Sequence, residues 1–150
     1  MKNYMKMEIS ALGSNENFAR SAVAAFALHL NPTLSELSDV KTAVSEGVTN
    51  CIVHAYKGRQ GESNEKIVIE CESEGTEEGG ILHIRISDKG CGIENVNEAV
   101  QPFFTTLSGE ERSGMGFTIM QTFMDEFSIE SKVGEGTSVS MSKKIGEKVG

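Results

Sequence analysis

Glu46 and Asn50 stand four residues apart in a segment with helical apolar spacing. On a helix both project from one face, about 40° apart around the axis. Such a pair on an otherwise apolar helix marks either a solvated outer face or the border of a ligand site. Gly47, beside Glu46, favours the second reading: it costs the helix roughly 1 kcal/mol and opens room for close approach. His54, four residues beyond Asn50, drifts further round the same side and reads as a packing or pocket-wall residue.

A second group, Asp88-Lys89-Gly90-Cys91-Gly92-Ile93, directly follows the apolar run Ile81 to Ser87. Two glycines one residue apart let the backbone turn sharply and lie against a ligand. A carboxylate at a strand end can accept a hydrogen bond from an exocyclic amine. A plain turn fits these residues as well. A dinucleotide fingerprint does not, because it needs a βαβ setting and a third glycine where the chain has Asn95. Third, Ser113-Gly114-Met115-Gly116-Phe117 opens a helical pattern. Glycines there expose amide N–H groups at the positive end of a helix dipole, which is an anion site. The Gly-Lys-Ser/Thr of a Walker A loop is absent. Thr105, Thr106 and Arg112 lie in the preceding polar segment, which reads as a cover over such a site. Gly134-Glu135-Gly136-Thr137, taken alone, is a hairpin turn.

These groups need elements to hold them. Met7 to Leu12 alternates as a strand. Glu16 to Leu30 is helical, with Phe18, Ala22, Ala25, Phe26 and His29 on its apolar stripe, until Asn31-Pro32 stops it. Thr33 and Glu36 make a capping box for a second helix, which runs to about Tyr56. Lys57 to Lys66 is a loop. Ile67 to Cys71 and Ile81 to Ser87 are strands, with an acidic, glycine-rich turn over Glu72 to Gly80. Glu94 to Val100 makes a short helix, and Gly114 to Glu126 another. Phe127 to Val133 and Thr137 to Met141 form a terminal hairpin, and the charged tail from Lys143 frays. Helices are thus segregated from strands. The expected fold is α/β of the α+β kind: a two-layer sandwich with helices on one face of a mixed, mainly antiparallel sheet, in one domain over residues 1–150.

Bulk properties narrow the partners. A net charge of −8 argues against direct nucleic-acid binding, which needs a basic surface. No apolar run approaches the ~20 residues of a membrane span, and no leader is read, so a cytoplasmic protein is expected. The odd count of three cysteines, without CxxC spacing, suggests reduced core residues rather than disulfides or zinc.

Each group is weak singly, but their order and spacing together resemble the GHKL superfamily of gyrase, MutL and histidine-kinase ATPase domains. The acid-x-x-x-Asn helix, the Asp-x-Gly-x-Gly strand end, the Gly-x-Gly helix start and the final Gly-x-Gly-Thr look like its N, G1, G2 and G3 boxes. Glu46 to Asn50, Pro102 to Thr106 and Ser113 to Phe117 further resemble the anti-sigma serine kinases of spore-forming bacteria. The resemblance implies the Bergerat ATP-binding fold. It implies Glu46 as general base and Asn50 as the Mg²⁺ ligand, and Asp88 as reader of the adenine amine with Thr137 nearby. Gly90, Gly92 and Ile93 would run along base and ribose. Gly114, Met115, Gly116 and Phe117 would offer amides to the phosphates of ATP or ADP, under a lid with Thr105, Thr106 and Ser113. It also implies a sigma factor and an anti-anti-sigma substrate as partners, and a homodimer. Two other classes remain open: the ATP-binding domain of a histidine kinase, which would need a phosphoacceptor helix hairpin, and an ATP-gated module without catalysis, which would not need Glu46.

Overall fold

The protein is described by a computed structural model over residues 2–56, 65–93 and 116–146. The element order is β1 (Lys2–Ser10), α1 (Ser14–Ala27), α2 (Leu34–Asn50), β2 (Lys66–Thr76), β3 (Gly79–Asp88), α3 (Gly116–Phe123), β4 (Glu126–Lys132) and β5 (Gly136–Ile145). The expected short helix over Glu94 to Val100 and the cover segment with Arg112 lie outside the described residues.

The five strands form one sheet in the order β1-β2-β3-β5-β4. Among the described residues every pairing is antiparallel, where a mixed, mainly antiparallel sheet is expected. The reason is topological. β3 and β4 run the same way, but the terminal hairpin returns β5 between them, and the two never pair.

Alternation fixes which face is covered. Ile69, Ile86 and Val139 are in register across the sheet, as are Cys71, Ile84 and Met141, and all are buried. They join Val40, Ala43, Val44 and Val48 of α2 and Met120 of α3 in one core. The opposite face carries Glu70, Glu72, His83, Arg85, Ser138 and Ser140, and is polar. One face packed and one solvated is the ordinary pattern of an antiparallel sheet.

α2 starts as its sequence demands: Thr33 Oγ1 accepts from Glu36 N at 3.0 Å, and Glu36 Oε1 accepts from Thr33 N at 2.8 Å. α1 is rotated from expectation. Its buried residues are Ala19, Val23, Ala24 and Ala27, while Phe18 is 57% exposed. Small side chains on that face let α1 lie close to α2, which outweighs the pull of the larger aromatic.

Four strands, β1, β2, β3 and β5, are longer than their sequence suggests. β1 starts at Lys2, because the inward alternation reaches back through Met7 and Met5. The acidic stretch after Cys71 is strand, with Glu70, Glu72 and Glu74 on the solvated face and buried Ser73 between them. The turn shrinks to Glu77 and Glu78. Gly75 and Gly79 sit inside the ladder at φ 150° and 122°, where an added Cβ would strike the facing backbone. The tail does not fray where expected. Lys143 Nζ donates to Phe123 O at 2.7 Å and pairs with Asp39 at 3.4 Å. Ile145 is 1% exposed, and Gly146 N donates to the Glu36 carboxylate at 3.1 Å.

Candidate nucleotide site

The end of α2 is where the site is assembled. After Asn50 the helix widens into a π turn over Cys51–Ala55, closed by Tyr56 N donating to Cys51 O at 3.1 Å. Single π turns of this kind recur at functional sites. Here the turn grips the loop that follows β3. Ala55 O accepts from Cys91 N at 3.0 Å. The Tyr56 hydroxyl accepts from Lys89 N and donates to Lys66 O, both at 2.7 Å. Tyr56 is 1% exposed, so these backbone groups are satisfied inside the protein.

Asp88 ends β3 inside this grip. Its Oδ1 accepts from Gly90 N at 2.9 Å and from Thr137 N at 3.2 Å. Burial pushes the Asp88 carboxyl above its ordinary range, and the amides of Gly90 and Thr137 and the Cys51 thiol pull it partly back. Burial, then the Asp88 charge, raises the Cys51 thiol well above its usual value, so it stays a neutral donor. A carboxylate has about four acceptor positions, and the two amides on Oδ1 leave room for a further donor, such as an exocyclic amine.

The other side of the loop is tied to the terminal hairpin. Ile93 N donates to Ser131 Oγ at 2.7 Å, and Ser131 Oγ lies 2.8 Å from Thr137 Oγ1. Gly134 N donates to Cys91 O at 2.8 Å. The glycines serve these close approaches. A Cβ on Gly90 would strike Ala55, and one on Gly92, at φ 76°, would strike Lys132 O. One on Gly136, at φ 114°, would strike Asp88 O. Gly90 and Gly92 are therefore first needed for protein packing, where the sequence suggests clearance for a ligand.

Gly47 needs the same correction. It is buried, and a Cβ there would lie 2.6 Å from Ile86 Cδ1 and 3.6 Å from Met120 Sδ. It lets α2 press onto β3 and α3 rather than opening a gap beside Glu46. The consequence still concerns the site, since this contact sets the turn bearing Glu46 and Asn50 over β3 and next to α3. Both side chains are half-buried. Gly116 is buried at the start of α3, and Phe117 packs its ring against Phe127, with centroids 6.1 Å apart. Phe117 stays partly exposed. Thr105, Thr106, Ser113, Gly114 and Met115, and the side chain of His54, lie outside the described residues.

The structure therefore joins Asp88, Gly90, Ile93 and Thr137 in one hydrogen-bonded unit, with Gly92 in its backbone. It sets Glu46 and Asn50 on the helix whose end clamps that unit. Cys51, Tyr56 and Ser131 were not foreseen. A buried cysteine, a helix-end tyrosine and a strand serine carry no local signal, because their partners are distant in sequence. Among the described residues, no cluster of three His, Cys, Asp or Glu could cage a metal. Among the described residues no helix is long and apolar enough to cross a membrane.

Comparison with known proteins bears on the family and the fold. Residues 10–143 match the family model described as Histidine kinase-like ATPase domain. An anti-sigma F factor of Anoxybacillus flavithermus is 51% identical over 146 residues, covering 97% of this chain and 94% of its own. That of Thermoanaerobacter sp. (strain X514) is 49% identical over 144 residues, covering 96% and 95%. Among solved structures, the RsbU and RsbW domains of a Mycobacterium tuberculosis protein superpose with a TM-score of 0.64 at 16% identity, covering 95% of this chain and 32% of that one. The mycobacterial sensor histidine kinase MprB gives 0.51 at 12%, covering 95% and 98%. At those identities the structures speak for the fold alone.

Proposed function

The chain belongs to the histidine kinase-like ATPase family, among the anti-sigma F factors, and on that premise we propose that it is an ATP-dependent protein-serine kinase that binds and inhibits an RNA polymerase sigma factor. Its substrate is a serine of an anti-anti-sigma partner, and it works as a homodimer of single-domain subunits in the cytoplasm. The observation that carries the nucleotide reading is the lock around Asp88: a half-buried carboxylate with two backbone amides on one oxygen and an acceptor position to spare. It supports recognition of the adenine amine.

The rest of the chemistry divides along α2. Glu46 accepts the proton of the attacking serine hydroxyl as the oxygen adds to the γ-phosphorus of ATP, and ADP leaves. Asn50 would hold Mg²⁺ through its side-chain oxygen, and the ion would offset phosphate charge. Gly116 and the amide of Phe117 would hold phosphate oxygens at the start of α3, and the resemblance assigns Gly114, Met115, Thr105, Thr106 and Ser113, which lie outside the described residues, to the same phosphates. Such transfer rests on positioning and charge rather than covalent catalysis.

The test is to incubate the chain with labelled ATP, Mg²⁺ and candidate sigma and anti-anti-sigma proteins. Label is expected on a serine of the anti-anti-sigma protein alone. Label on a histidine, or none, would favour the histidine-kinase or non-catalytic classes. Glu46→Gln should lower transfer by about 10²–10⁴-fold, the usual worth of a general base, with ADP affinity little changed. Wild-type transfer by this variant would remove Glu46 from that role.

A further inference from the structure

We infer that Ser131 is a positioning residue for base selection: it takes the hydrogen of the Thr137 hydroxyl, so that Thr137 beside Asp88 presents only lone pairs and the two together fit a 6-amino purine. The inference rests on the reading of Asp88 as the adenine reader. Its own support is a hydrogen-bond count. Ser131 Oγ lies 2.7 Å from Ile93 N, 3.1 Å from Gly136 O and 2.8 Å from Thr137 Oγ1. The amide of Ile93 can only donate, and the carbonyl of Gly136 can only accept. The single Ser131 hydrogen therefore goes to Gly136 O, and one of its lone pairs receives the Ile93 N–H. The second lone pair is left for Thr137 Oγ1, which must donate to it. Thr137 has then committed its own hydrogen, and it can offer a ligand nothing but acceptor positions. Register puts these groups side by side. Asp88, Thr137 and Ser131 are direct partners across β3, β5 and β4. Two positions away along those strands stand Ile86, Val139 and Ile129, which pack into the core, so all three polar residues point to the helix-covered face. Opposed side chains on one face have Cβ atoms about 4.5–5.5 Å apart, so a group that donates to Asp88 meets the Thr137 hydroxyl next. Ser131 and Thr137 are both half-buried.

The chemistry makes this a specificity device. A 6-amino purine carries two hydrogens on one nitrogen, and two adjacent acceptors can take both. A 6-oxo purine would set its oxygen against a carboxylate and a hydroxyl whose hydrogen points elsewhere. Without Ser131 the Thr137 hydroxyl is free to turn and donate to that oxygen. The device therefore fails by admitting the wrong base rather than by losing the right one. Ile93 N loses its acceptor in the same change, but a looser loop weakens every nucleotide alike.

The experiment measures ADP and inosine diphosphate affinities by calorimetry on the full chain, with thermal unfolding as the check on folding. Ser131→Ala should lower the ADP-over-inosine-diphosphate preference about three- to tenfold, the range of one neutral hydrogen bond, with inosine diphosphate gaining on ADP. Ser131→Thr, which keeps the hydroxyl, should keep the preference. Ser131→Val has the shape of threonine without the hydroxyl and should behave as alanine. In a Thr137→Val background there is no hydroxyl left to orient, so adding Ser131→Ala should change the preference by less than about twofold. An unchanged preference in the alanine and valine variants, even with both affinities lowered, overturns the inference. So does a threonine variant as poor as alanine, or a further loss in the Thr137→Val background. Asp88→Asn separates the two levels. If it keeps the adenine preference, the reading of Asp88 fails. If it loses the preference while Ser131→Ala and Ser131→Val keep it, only the role of Ser131 fails.

Discussion

Asp88 carries its charge where burial disfavours it, and this has a consequence for stability. Its folded carboxyl lies above the ordinary value of 3.8, so between the two values the folded chain holds more proton than the unfolded one. Its ionisation therefore costs stability as pH rises through the folded value, and the cost is absent well below 3.8. Asp88→Asn should raise the unfolding midpoint near neutral pH, and the gain should vanish toward pH 3. Differential scanning calorimetry across pH checks this; a midpoint lowered at neutral pH would contradict it. The same substitution removes the acceptor for adenine, so stability and recognition move in opposite directions at this residue. The acid, the amide and the glycines of the site are legible in sequence because their types are unusual where they stand. What the glycines do is not, since Ala55, Lys132 and the Asp88 backbone fill the space their missing side chains leave.

At the scale of elements, the contact of Gly47 with Ile86 decides how deeply α2 sits. Alanine at 47 gains about 1 kcal/mol of helix propensity but must displace Ile86 Cδ1, and overpacking costs about 1–3 kcal/mol. Gly47→Ala should therefore destabilise in the native background and stabilise beside Ile86→Val, with a coupling of about 1–2 kcal/mol in a double-mutant cycle. Additive effects in denaturant titrations would refute the contact's role. α2 was readable because capping box and apolar period agree, and its boundary missed only the widening at Cys51. On α1 periodicity points to the large apolar residues, while close helix packing selects the small ones. β2 was cut short because glutamates on a solvated strand face look like a turn when read one after another.

For the whole molecule, the C-terminal strand does more than join β3 to β4. Ile145 is in the core, Gly146 meets the cap of α2, and Lys143 joins Asp39 to the end of α3. Ile145→Ala should cost about 2–5 kcal/mol and lower the midpoint by roughly 4–20 °C, a prediction that thermal unfolding tests directly. A loss under 1 kcal/mol would mean that the end of β5 frays after all. The two-layer arrangement was legible from the order of elements, but the insertion of β5 between β3 and β4 was not, because pairing partners leave no mark in local pattern. That insertion also has a meaning in time. A ribosome delivers β3 well before β5, so β3 first exists with one side unpaired, an exposed edge of the sort that invites association between chains. Thr137, which completes the hold on Asp88, arrives in the same late segment. A nascent chain can build its helices and half its sheet, yet it gains a finished adenine pocket only when its last strand enters. Nucleotide, by binding only the finished form, would then draw newly made chains toward completion.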